Sequence, residues 1–223
     1  MIHQLIFANP KPGMSVKEFQ DYWIIVHATE YAGKIKQIKK YKVNRLFDLD
    51  DKDNKEPLFN GMAEIWLENE EEQLKSLLSK EYVNGARADE PNWAAFWQTI
   101  GLDTYSYDKL LCDSEPEYKI VILMKRKEGI PLSVFREYLL RNIGEELKDI
   151  DMIKQLTISL VKDSMYKVGE SCLDGALHIW INDIADTKNI TELEIWKMFM
   201  TDLNKIINSK YLYKFLCQEN RII

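Results

Sequence analysis

Residues Lys11 to Tyr41 read KPGMSVKEFQDYWIIVHATEYAGKIKQIKKY, and the fold is decided by how this stretch is read. The turn Pro12-Gly13 leads into Ser15-Val16-Lys17-Glu18. That is a capping box, in which a Ser hydroxyl and a Glu carboxylate satisfy amide donors that a helix start leaves free. After it, Val16, Phe19, Trp23, Val26 with His27, and Glu30 recur at three- and four-residue spacing. Such spacing puts them on one helix face. The stretch therefore predicts an amphipathic helix packed on a sheet, and it carries one of only three histidines in 223 residues.

Upstream, the apolar run Ile2 to Ala8 stops at Asn9-Pro10 and predicts a buried strand. Downstream, Tyr41 to Leu49 predicts a second strand and Phe59 to Leu67 a third. In the third, alternation turns Met62, Glu64 and Trp66 to one face and Ala63, Ile65 and Leu67 to the other. The acidic loop Asp48 to Lys55 between these strands has calcium-like spacing. It lacks the required Gly, and Phe59 stands where a closing Glu belongs, so a plain connection is expected. Asn69 caps a helix that opens Glu70-Glu71-Glu72, acids set against its dipole. Gly85 and Pro91 then break the pattern, and the aromatic segment Ala94 to Tyr107 predicts a fourth strand.

The order β-α-β-β-α-β is that of a ferredoxin-like unit, and the rest of the chain repeats it. Shifted by 116, Gly13, Phe19 and Tyr22 fall on Gly129, Phe135 and Tyr138. At a shift of 114, Gly61-Met62-Ala63-Glu64-Ile65-Trp66 falls on Gly175-Ala176-Leu177-His178-Ile179-Trp180. Pro131 takes the place of the capping box. A last helix is expected from about Asn189 to Thr191 onward, and an eighth strand over Tyr213 to Ile223. The expectation is an α+β chain with repeats at 1–112 and 113–223. Each four-stranded sheet has helices on one face, and the two bare faces pack sheet to sheet as an intramolecular α/β barrel. No Gly/Ser linker separates the halves.

Net charge is −6 and the pI is near 5.3, which argues against a surface that tracks nucleic-acid phosphates. Three scattered cysteines fit neither a disulfide framework nor a zinc pattern and suit a reducing cytoplasm. No basic region precedes an apolar core at the N-terminus, so no signal peptide is expected. No apolar run is long enough to span a bilayer.

The motifs Lys11-x-Gly13, Phe19-x-x-Tyr22-Trp23-x-x-x-His27-Ala28 and Gly61-x-Ala63-Glu64-Ile65-Trp66 resemble the EthD family of the dimeric α/β barrel superfamily. The likeness covers the first half well, and the second half resembles a diverged copy. It implies a pocket for a small apolar or aromatic molecule. It also implies chemistry of the kinds its relatives perform without a cofactor: lactone isomerisation, polyketide cyclisation or dehydration, or oxygenation. A His at the position of His27 can serve such enzymes as acid or base. In the second copy Trp23 and His27 are replaced by Leu139 and Ile143, so one site per chain is expected.

The residues themselves nominate His27 as a proton-transfer group, with Glu64 or Tyr41 orienting it or the substrate. Trp23, Trp66, Trp97 and His178 are candidate ligand contacts, the last because it matches Glu64. Tyr22 and Tyr138 read as scaffold, since both copies keep them. No metal and no cofactor is expected. Haem held by His27 or His178 is a weaker alternative, because no attachment motif is present. A non-catalytic ligand carrier or assembly subunit, monomeric as a pseudodimer or homodimeric, remains the other reading.

Overall fold

The computed structural model describes residues 1–49, 57–113 and 116–223. The calcium-like part of the loop after Leu49 falls outside them. The strands close into a barrel, and the chain is α+β as expected. Two compact units make it up. One gathers the described residues of Met1–Phe47, Glu56–Thr104 and Gln218–Ile223, the other those of Asp48–Lys55 and Tyr105–Cys217.

In the first unit, β1 (Ile2–Ala8) pairs antiparallel with both β3 (Gly61–Leu67) and β4 (Ile100–Leu110), and β2 (Ile38–Asp48) pairs with β3. The capping box forms as predicted: Ser15 Oγ accepts from the Glu18 amide, and Glu18 accepts from the Ser15 amide. It starts α1 (Val16–Tyr22), which runs straight into a π-helical segment, Trp23–Tyr31. Trp23, His27 and Ala28 of this segment are buried together. One-turn π segments are recurrent at functional sites, because they re-aim a side chain at the cost of poorer hydrogen-bond geometry.

Three helical pieces follow β3: α2 (Glu70–Leu78), a π-helical turn (Glu81–Ala86) and α3 (Arg87–Trp93). Here the sequence reading of the fourth strand is corrected. Pro91 sits inside α3, Phe96–Gln98 is a single 3₁₀ turn, and β4 begins only at Ile100. A proline lacks an amide donor and its ring crowds the carbonyl four residues back, and Pro91 stands two residues before the helix ends at Trp93.

The second unit contains β5 (Tyr118–Arg126), α4 (Leu132–Leu147), β6 (Ile153–Val161), β7 (Gly175–Ile181), α5 (Ile184–Glu192), α6 (Glu194–Ile206) and, as far as Cys217, β8 (Ile207–Arg221). The last helix is thus two helices, and the eighth strand starts earlier than its sequence suggests. Here β7 pairs antiparallel with β5 and β6, as β3 does with β1 and β2. Gly13 and Gly129 both sit at positive φ, 86° and 83°, a backbone shape glycine adopts without penalty. The core is an unbroken apolar cluster that includes Phe135, Leu139, Ile143 and Leu147 from α4. Burying each such side chain contributes roughly 1.5–3 kcal/mol.

Candidate functional site

The first unit holds a cavity of about 250 Å³ between its sheet and its helices. Its floor is the helix-facing side of the strands: Ile6 and Ala8 of β1, Tyr41 of β2, and Ala63, Ile65 and Leu67 of β3. Its walls are Trp23 and His27 of the π-helical segment, Tyr82 and Ala86 of the π turn, and Trp93 at the end of α3. Three aromatic rings cluster in and behind this wall, at tilted and edge-on angles. Trp23 and Trp93 lie 4.7 Å apart between centroids, and Phe19 touches both at 5.5 and 5.4 Å. Gly61 makes room for them, since a Cβ there would lie 2.6 Å from the Trp23 ring. An engineered dry cavity of 150 Å³ takes up benzene, so this one has space for a molecule of one or two rings.

A polar constellation meets the mostly apolar lining at His27. His27 Nδ1 lies 2.9 Å from Asp89 Oδ2, and both side chains are buried. Asp89 also accepts from the Tyr22 hydroxyl at 2.8 Å and from Asn92 Nδ2 at 3.0 Å. Burial pushes the Asp89 carboxyl up, but the hydrogen bonds from Asn92, His27 and Tyr22 outweigh it and hold the group below the usual carboxylate range. Asp89 is therefore ionised near neutral pH. Burial likewise keeps His27 below its ordinary value, against the opposing pull of Asp89, so the imidazole is neutral. Tyr22 is pushed up to about 12 by burial and by its bond to Asp89, and stays a donor.

These states fix the tautomer. The indole Nε1 of Trp93 lies 3.1 Å from the same Nδ1, and one ring nitrogen cannot both accept from Trp93 and donate to Asp89. An ionised carboxylate only accepts. Nδ1 therefore carries the proton and gives it to Asp89, which leaves Nε2 as the basic atom. A carboxylate behind an imidazole in this way orients the ring and stabilises the cation it becomes on taking a proton.

The sequence-predicted residues divide. His27, Trp23 and Tyr41 come together around the cavity. Tyr41 is buried, which raises its phenol well above the ordinary range, while a hydrogen bond with Trp23 opposes the rise. Glu64 and Trp66 lie on the other face of β3, away from the cavity floor. Glu64 accepts from Asn44 Nδ2 at 2.9 Å and lies 3.2 Å from His3 Nε2, and Trp66 stacks on His3 at 4.1 Å. His178 belongs to the second unit, where its Nε2 is 3.1 Å from Ser159 Oγ. Trp97 is 61% exposed and lines no part of the cavity.

Sequence reasoning missed Asp89 and gave Tyr22 a purely structural part, while Asn92 and Trp93 belong to the aromatic stretch Asn92 to Trp97, which the sequence offers as a stacking platform or as strand core. The signal was present. Asp89 and Trp93 stand four residues apart, a one-face helical spacing, but Gly85 and Pro91 were taken to end the helix that carries them.

Residues 11–96 match the family model of the EthD domain. The chain matches no curated protein. Several solved structures share its fold over nearly the whole length. A candidate monooxygenase from Fusobacterium nucleatum is 9% identical with a TM-score of 0.62, over 99% of this chain and 93% of that one. An anthrone oxidase-like protein is 10% identical with a TM-score of 0.64, over 99% and 92%. A mutant chlorite dismutase from Candidatus Nitrospira defluvii is 10% identical with a TM-score of 0.51, over 99% and 91%. At such identities the likeness establishes the fold alone. Among the described residues no helix is long and apolar enough to cross a membrane.

Proposed function

Taking residues 11–96 as an EthD domain, we propose that the cavity of the first unit binds a small, flat, apolar or aromatic molecule, and that His27 moves a proton on it. The observation that carries this reading is the 2.9 Å contact between His27 Nδ1 and Asp89 at the wall of a cavity lined mostly by aromatic and aliphatic groups. A neutral imidazole with an ionised carboxylate behind it is a general base matched to neutral pH. In an isomerisation, Nε2 takes a proton from one atom of the ligand while Asp89 steadies the imidazolium. The same proton returns to another atom, so the chemistry balances without a redox partner. Cyclisation, dehydration and oxygenation of activated phenols begin with the same proton removal. Trp23 and Trp93 hold the ring by stacking. Asp89, Tyr22 and Asn92 are positioning residues, which act through His27.

Haem, the alternative weighed from the sequence, draws support from the carboxylate behind His27, because metal-ligating histidines are commonly held that way. The cavity volume favours one or two rings over a four-pyrrole macrocycle.

The test compares wild type with His27→Ala against phenols, quinones and unsaturated lactones, reading both turnover and ligand-induced melting shift. Loss of turnover with the melting shift retained is the expected result. Equal turnover in both proteins would remove His27 from the mechanism. A melting shift with no turnover in either protein would favour a ligand carrier.

A further inference from the structure

The cavity carries a second polar pair that the proton-transfer reading leaves unused. Arg87 and Glu90, three residues apart on α3, both line it, and their side chains form an ion pair with each other. Arg87 is about half exposed and Glu90 is mostly covered, which puts the pair at the rim. The guanidinium also lies 5.9 Å from the exposed ring of Phe96. Among the described lining residues Arg87 is the one permanent cation. A fixed cation at the edge of an apolar cavity, balanced only by a neighbouring carboxylate, is a place where a ligand carboxylate can substitute for that neighbour.

We infer that the ligand is an aromatic or flat apolar acid, whose carboxylate takes the place of Glu90 on Arg87 while its apolar body fills the cavity. This rests on the reading of the cavity as a ligand site. Arg87 is half exposed, so its ion pair with a residue three positions on is worth little, and exchanging it costs little. The planar guanidinium can then accept a carboxylate through two parallel N–H···O bonds. Glu90 is a weak competitor for Arg87: burial pushes its carboxyl above the usual range, even though the Arg87 charge and hydrogen bond pull it down, and the nearby Asp89 carboxylate pushes it further up. Glu90 in this account is an internal stand-in for the anion. It keeps Arg87 poised when no ligand is present.

The experiment is titration calorimetry with benzoate and its neutral isostere benzamide, on wild type, Arg87→Gln and Glu90→Gln, each checked for folding by its melting curve. Benzoate is expected to bind wild type about tenfold more tightly than benzamide, the scale of one charge-assisted hydrogen bond. Arg87→Gln should erase the preference without changing benzamide binding. Glu90→Gln should strengthen benzoate binding, because the competing carboxylate is gone. A purely structural ion pair predicts the reverse: loss of Glu90 would loosen the rim and weaken both ligands alike. Equal binding of benzoate and benzamide to wild type, or weaker benzoate binding by Glu90→Gln, would overturn the inference alone. Binding of neither compound would overturn it together with the ligand-site reading beneath it.

Discussion

The two repeats share strand pairing, a positive-φ glycine before the first helix and a glycine at the start of the third strand, yet they use the space under that helix differently. In the second, α4 is a regular helix whose Leu139 and Ile143 are fully buried in an unbroken apolar cluster. In the first, the same positions hold Trp23 and His27 on a π-helical segment beside a cavity. A buried imidazole costs free energy unless it is hydrogen-bonded, and Asp89 with its own donors Tyr22 and Asn92 supplies that bond. The second repeat shows what this scaffold does when only packing counts. The first gives up part of that packing for a polar group that burial keeps neutral.

Exchanging residues between the repeats tests this contrast. The largest effect is expected from giving the first repeat the second's residue. His27→Ile should lower turnover by about 10²–10⁴-fold, the usual worth of a general base, while the protein still folds. Steady-state kinetics beside a urea melt reads both, and a fold lost along with activity would mean that His27 is structural. Next comes Asp89→Asn, expected to cost about 10–100-fold, as for other groups that orient a functional imidazole. Asp89 raises the pKa of His27 against burial, so its loss lets that pKa fall further. The acid limb of the pH–rate profile should then move to lower pH, and a limb that stayed in place would separate the two residues.

The reverse exchange, Ile143→His, puts an imidazole among the apolar residues of the second core without an Asp89. It should destabilise by about 1–3 kcal/mol in denaturant unfolding, and a neutral result would mean that the second unit also tolerates a polar site. The smallest effect is on stability against pH. The folded pKa of His27 is depressed below 6.5, so the folded state binds fewer protons than the unfolded chain. Its contribution is complete above about pH 6.5 and is lost as pH falls through the folded value. Wild type should therefore lose stability more steeply than His27→Ile as pH falls below 6.5. Parallel curves would count against a neutral His27.

Much of this was legible in the residues. The duplication, the capping box, the alternation of β3 and the inward His27 follow from spacing alone, because spacing sets which side chains share a face. Glu64 needed more than spacing to be placed. Alternation tells that Glu64 and Trp66 share a face but not which face meets the helices, and here Ala63 and Ile65 do. Asp89 and Trp93 were hidden by Pro91, whose local preference for ending a helix is overridden where the run is already wound. The π-helical winding of Trp23–Tyr31 leaves no periodic trace in the sequence.

The central claim is that His27 is a neutral base held through Nδ1 by Asp89, and the ring nitrogens can be read directly. Two-bond ¹H–¹⁵N correlation of the imidazole at pH 7 is the measurement. The account predicts a protonated Nδ1 and a proton-free Nε2. A proton on Nε2 with Nδ1 accepting from Trp93, or a fully protonated ring, would contradict it.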